Sequence, residues 1–255
     1  MNVLLGGDPP FTDELTALFR RAGHQVISWA AEEPELPASV DLAVDVHHGD
    51  RAAKRRFIQG MDQAPETLLL VSALPVSVTE AASWSRAPER VVGFGVVPPL
   101  GETGLVELAS GLQTAASALE QARRFWRGVG YDPVLVQEGP GLVRMRVIAC
   151  IINEAASALL EGVATAQDLD TAMRLGTNYP HGPLAWADHL GLDTVLAVLE
   201  GLQAEWGEDR YRPSPLLRRL VLAGKLGKQS GEGFFVWAAD QAQDQAQEQG
   251  EPSKG

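Results

Sequence analysis

The apolar pattern of this chain changes period once, at Gly139-Pro140-Gly141, and that break limits the fold more than any other feature. Before it, short apolar runs alternate with helical stretches. Val3-Leu4-Leu5 reads as a strand ending at Gly6-Gly7. A helix with Thr12 at its cap and Leu15, Leu18 and Phe19 on one face stops at Gly23. Further strands are expected at 25–29, 42–46, 67–72, 91–97 and 133–137, with a helix over 51–61 and a long one over about 105–128. The run Leu68-Leu69-Leu70-Val71 is apolar throughout, as a parallel strand covered on both faces should be. Strands spaced by helices imply crossover units and an open parallel sheet. After the break, 143–160, 165–176, 193–206 and 214–223 all carry helical periodicity and no strand signal. The chain therefore divides into an α/β unit over 1–138, an all-helical unit over 139–238 and a Gln-, Ala- and Glu-rich tail over 239–255, expected to be disordered.

Charge and cysteine content narrow the function classes. The chain has 21 Lys plus Arg against 33 Asp plus Glu, a net charge of −12. That balance argues against nucleic acid and anionic membrane as partners. A single cysteine, Cys150, allows no internal disulfide and fits a reducing compartment. No apolar run reaches the roughly 18 residues a membrane span needs. The opening Met1–Asp8 has no basic segment, so no signal peptide is expected and a cytoplasmic setting is.

The helical half carries the most specific residues. Gly162-Val163-Ala164-Thr165-Ala166-Gln167-Asp168-Leu169-Asp170 runs toward Asn178-Tyr179-Pro180-His181-Gly182-Pro183-Leu184. Then follow Gly191-Leu192-Asp193, Tyr211-Arg212-Pro213-Ser214-Pro215-Leu216-Leu217 and Gly231-Glu232-Gly233-Phe234-Phe235. In this order the series closely resembles the C-terminal domain of 3-hydroxyacyl-CoA dehydrogenases, and the α/β half resembles that family's nucleotide domain in strand order. The resemblance implies a shortened Rossmann-like domain for NAD and a helical domain that closes over acyl-CoA and mediates dimerisation. It also implies the family reaction, oxidation of L-3-hydroxyacyl-CoA to 3-oxoacyl-CoA. In that reaction a histidine takes the hydroxyl proton, a glutamate orients it, and a serine and an asparagine place the substrate.

Those roles carry over unevenly. The family's Ser-Ser-Leu segment falls on Ser72-Ala73-Leu74, so the positioning serine is Ser72. The orienting glutamate falls on Glu107. The Gly-x-His-Phe-x-Asn-Pro motif reads Gly93-Phe94-Gly95-Val96-Val97-Pro98-Pro99, which puts Gly95 at the base and Pro98 at the asparagine. The helical-domain asparagine falls on Met145, while Pro140, Gly141 and Arg146 match. On the cofactor side the G-x-G-x-x-G turn reads Gly6-Gly7-Asp8-Pro9-Pro10-Phe11. Only Gly6 and Gly7 are left as cofactor-binding candidates. Asp8 faces the place of the pyrophosphate, Phe11 replaces a packing glycine, and two prolines remove N–H donors. The acid expected after the second strand is Ala30, and the short stretch 30–40 leaves no room for the family's inserted arm.

Asn178–Trp186 and Gly141–Arg146 look most like the degenerate second copy found within long members of the family. The chain is thus expected to resemble a dehydrogenase with weak or absent activity. The alternatives are a dimerisation or scaffold subunit, as a homodimer or with an active dehydrogenase, and an acyl-CoA binder. Other residues have simpler readings beside functional ones. Ser72 could satisfy a local turn, and Glu107 could be a helix-start carboxylate. His181 could replace the base or be a loop histidine. His47-His48 lack a third ligand, so no metal site is expected. His24 reads as surface and Cys150 as core. Lys54, Arg55 and Arg56 read as a solvated basic face, and Arg210, Arg212, Arg218 and Arg219 as solvated or anion-contacting.

Overall fold

The computed structural model describes residues 1–29, 36–37 and 39–237. The expectations for Ala30, for most of the loop after the second strand and for the tail lie outside these residues.

The α/β half runs β1 (Asn2–Gly7), α1 (Phe11–Arg21), β2 (Gln25–Ser28), β3 (Leu42–Val46), α2 (Arg51–Gly60) and β4 (Leu68–Ser72). It continues with α3 (Val78–Ala82), β5 (Val91–Gly95), β6 (Gly104–Ser110), α4 (Ala116–Gly128) and β7 (Tyr131–Leu135). The seven strands form one sheet in the order β2-β1-β3-β4-β5-β6-β7. The first five are parallel; β6 reverses against β5, and β7 runs parallel to β6. The parallel-dominated sheet followed by helices agrees with the sequence reading.

The short helices α3 and α7 add to the expected set, and one expected element is replaced. The expected long helix over 105–128 is β6, a turn and α4. Leu105, Glu107, Leu108 and Ala109 are good helix formers, but pairing on both sides, with β5 and β7, overrides that local preference. Glu107 therefore lies on a strand, not at a helix start. The expected cap at Thr12 also shifts: α1 starts at Phe11 with Pro10 in the cap position and no side-chain cap. The last strand begins two residues earlier than the expected 133.

Each sheet face is covered. Val3, Leu5, Val44, Leu70 and Phe94 pack with Phe11, Leu15 and Phe19 of α1 and with Ala122 and Trp126 of α4. Leu4, Ala43, Leu69, Val71 and Val91 pack with Phe57 and Ile58 of α2 and Val78 and Ala81 of α3. At about 1.5–3 kcal/mol for each fully buried large apolar side chain, these two layers dominate the stabilisation.

The helical half comprises α5 (Arg144–Leu160), α6 (Ala166–Thr177), α7 (Pro183–Leu190), α8 (Leu192–Trp206) and α9 (Pro215–Leu222). Thr165 caps α6, accepting from the Asp168 N–H at 3.2 Å. The core is continuous across the halves, because Met145, Ile152, Val195 and Leu199 join the α1–α4 layer. The chain enters this half through Gly141, whose N–H donates to Ala73 O and Leu74 O at the end of β4. Gly201 lets α8 approach closely: a Cβ there would lie 2.2 Å from Pro75 O.

Candidate functional site

In an open parallel sheet, ligands bind outside the carboxyl ends of the strands, where the strand order changes direction. Here that point lies between β1 and β3. Gly6 and Gly7 stand at it, but both are used by packing. A Cβ on Gly6 would lie 2.3 Å from the Phe57 ring. Gly7, at φ 142°, presses on Val46, where a Cβ would lie 2.5 Å from the backbone carbon. Asp8 and Pro9 are exposed beyond them. The Thr12 N–H is directed back to Asp8 O at 3.3 Å. Phe11 is buried and sets its ring edge-on against His48, with centroids 4.4 Å apart.

Ser72 ends β4 and is buried. Its Oγ is hydrogen-bonded to His48 Nε2 at 2.8 Å. The other ring nitrogen, Nδ1, faces Thr194 Oγ1 of α8 at 3.5 Å. The N-terminus of α8 thus closes onto the strand ends, and a Cβ on Gly49 would lie 3.5 Å from the Asp193 carboxylate. Burial, reinforced by the Lys54 charge, pushes the His48 imidazole down to about 3. The ring is therefore neutral near neutral pH. Burial, with the Asp8 charge adding to it, pushes the Asp193 carboxyl up.

A second buried group lies behind it. Asp45 of β3 accepts from His47 Nδ1 at 2.8 Å and forms an ion pair with Lys54 of α2. Burial opposes the Asp45 charge, but the Lys54 ammonium and the His47 hydrogen bond overcome it and hold the carboxyl low. Burial pushes the Lys54 ammonium down, against the pull of Asp45. The expected solvated face over 54–56 is corrected here: Arg55 and Arg56 are exposed, but Lys54 is fully buried. Its spacing from Phe57 and Ile58 places it on the sheet-facing stripe of α2.

Glu107 lies opposite Gly95 in the β5–β6 register. A Cβ on Gly95 would lie 3.3 Å from Glu107 Oε2, so a side chain there would face the carboxylate. That space is taken by Leu142, whose Cδ1 lies 2.9 Å from the same point. Leu142 is buried and holds φ 48°, a conformation that bulky residues rarely adopt. Glu107 instead accepts the Arg144 backbone N–H at the start of α5, and Arg144 Nε lies 3.6 Å from Oε2. Arg144 Nη2 donates to Gly95 O at 3.2 Å and Leu105 O at 2.9 Å. Burial pushes the Glu107 carboxyl up, with Arg144 opposing.

Ser72 and Glu107 are thus engaged separately, one with His48 and the other with Arg144. Met145 is fully buried in the core. His181 is half-buried and stacks on His189 at 5.3 Å; burial, then the neighbouring His189, lowers its pKa. His24 is half-buried rather than at the surface. Cys150 is half-buried on α5 against the core. Arg210 and Arg218 pair with Glu208 and Glu200 at 2.7 Å. Among the described residues no group of three or more His, Cys, Asp or Glu could hold a metal ion. No helix among them is long and apolar enough to cross a membrane. The sequence reading missed Asp45, Arg144 and Leu142. An acid in an otherwise apolar strand was the available signal for Asp45 and its partner.

Residues 141–237 match the family "3-hydroxyacyl-CoA dehydrogenase, C-terminal domain". Residues 15–139 match "3-hydroxyacyl-CoA dehydrogenase, NAD binding domain". A probable 3-hydroxybutyryl-CoA dehydrogenase of Bacillus subtilis is 38% identical over 211 residues, covering 82% of this chain and 72% of the relative. The 3-hydroxybutyryl-CoA dehydrogenase of Clostridioides difficile is 34% identical over 198 residues, covering 77% and 70%. The solved (S)-3-hydroxybutyryl-CoA dehydrogenase of Ralstonia eutropha is similar in structure, with a TM-score of 0.74 and 25% identity. That match covers 92% of this chain and 98% of the other. With both domains matched in order, the chain belongs to the 3-hydroxyacyl-CoA dehydrogenase family.

Proposed function

We infer that this chain is a non-catalytic member of its family, keeping the fold but not the NAD-dependent oxidation of 3-hydroxyacyl-CoA. The observation that carries this reading is Leu142. Its side chain fills the space in front of Glu107 where a base at position 95 would stand. Loss of a general base costs typically about 10²–10⁴-fold in rate.

The residues at the carboxyl ends of β1 and β3 do not fit a dinucleotide either. A pyrophosphate needs free N–H groups and close backbone approach at the turn into α1. Pro9 and Pro10 carry no N–H, the Thr12 N–H is directed at Asp8 O, and the exposed Asp8 adds like charge. Phe11, His48, Ser72 and Thr194 fill the crevice with the chain's own side chains. A subunit role is consistent with Leu160, Val163 and Leu175, which are exposed at the end of α5, in the following turn and on α6. The partner would be a second copy or an active dehydrogenase.

The test is a titration of the full chain with NAD and with 3-hydroxybutyryl-CoA, read by melting temperature, because a ligand of the native state must raise it. No shift with NAD is expected. A saturable shift with NAD at micromolar concentration would overturn the reading.

A further inference from the structure

A groove of about 560 Å³ opens where the two halves meet. Its walls are Val97, Pro98 and Pro99 after β5, Val147 and Ile151 of α5, and Trp186 of α7. This volume lies within the range of small-molecule sites, which are mostly apolar with a few placed polar groups. No Asp or Glu lines the groove, although the chain carries 33 of them. Its one cation is Arg144. Nη2 and Nε of Arg144 face Gly95 O, Leu105 O and Glu107, and no hydrogen bond among the described residues uses Nη1. Tyr179, Trp186 and His181 form an aromatic side, with Tyr179 and Trp186 ring centroids 6.3 Å apart.

We propose that this groove binds a small aromatic monocarboxylate, with its ring among Val147, Ile151 and Trp186 and its carboxylate on Arg144. Flat aromatic and proline walls favour a planar ring. Glu107 pairs with Arg144 from behind the wall, at Nε, and no acid lines the groove itself, so the Nη1 edge favours a single negative charge, which a guanidinium recognises by charge-assisted hydrogen bonds. The groove shares no lining residue with the crevice of Phe11, His48, Ser72 and Thr194.

The experiment titrates the full chain with 2-naphthoate and with neutral 2-naphthamide, reading heat and melting temperature, with molar mass by light scattering in parallel. Saturable binding of the naphthoate is expected, with the amide weaker by about tenfold or more. Val147→Trp places a large ring in the groove from an exposed position, one turn along α5 from Arg144. It should abolish naphthoate binding while leaving the free protein's melting temperature and mass unchanged. Equal binding of acid and amide, no binding of either, or naphthoate binding that survives in Val147→Trp would each overturn the proposal. A dimer that Val147→Trp turns into a monomer would assign the groove to a second copy instead, and overturn it too.

Discussion

Glu107 joins the two halves of the molecule through Arg144: the Arg144 backbone N–H approaches both carboxylate oxygens, at 3.1 and 3.4 Å. A carboxylate that resemblance places beside a catalytic histidine here anchors the start of α5.

Glu107→Ala should therefore destabilise the fold by about 1.5–3 kcal/mol, the usual range for hydrogen bonds to a charged group. Burial raises the Glu107 carboxyl in the folded state. The native state then holds its proton to higher pH than the unfolded chain does, so this group's contribution to stability falls as pH rises above its ordinary value. The difference in unfolding free energy between wild type and Glu107→Gln, measured by urea melts across acid pH, should show that fall and flatten above it. A difference that rises with pH would contradict the assignment.

An imidazole introduced at position 95 should compete with Leu142 for space. Gly95→His must displace Leu142 and should cost about 1–3 kcal/mol by overpacking. Adding Leu142→Ala should recover part of that loss, giving a coupling free energy of the kind contacting residues show in a double-mutant cycle. Additive effects would mean that Leu142 does not occupy that space.

Lys54→Met should cost about 3–5 kcal/mol, because it leaves the buried Asp45 charge without its partner. Asp45→Asn combined with Lys54→Met should be much closer to wild type. Chemical denaturation of wild type and the two variants decides this, and an equal loss in the single and double variants would count against it.

His48 supplies a contribution of the opposite sign to Glu107. Its folded value is depressed to about 3, so between about 3 and its ordinary 6.5 the unfolded state binds the extra proton. That contribution is fully present above 6.5 and is lost as pH falls toward 3. The stability of His48→Gln relative to wild type should therefore improve as pH falls through this window. A comparison that does not change with pH there would show that His48 is not buried as described.

Much of this was legible in the residues. The period change at Gly139–Gly141, the apolar run of β4 and the family-like series from Gly162 onward pointed to a parallel-dominated sheet followed by helices. Gly95, Asp8 and Phe11 marked the departures at the site. Residues 104–110 were not legible as a strand, because their helix-forming composition yields only to pairing with β5 and β7. The role of Leu142 was not legible either: its left-handed backbone and its contact at Gly95 join positions 47 residues apart in sequence. Lys54 was misread because a run of three basic residues suggests solvent, whereas helical spacing turns only one of them inward.

The most direct test of the central claim is NADH formation from NAD and L-3-hydroxybutyryl-CoA by the purified full chain. No rate above that of the protein-free reaction is expected. A saturable rate that falls on Ser72→Ala would contradict it, because catalysis would then be running through the serine the family uses.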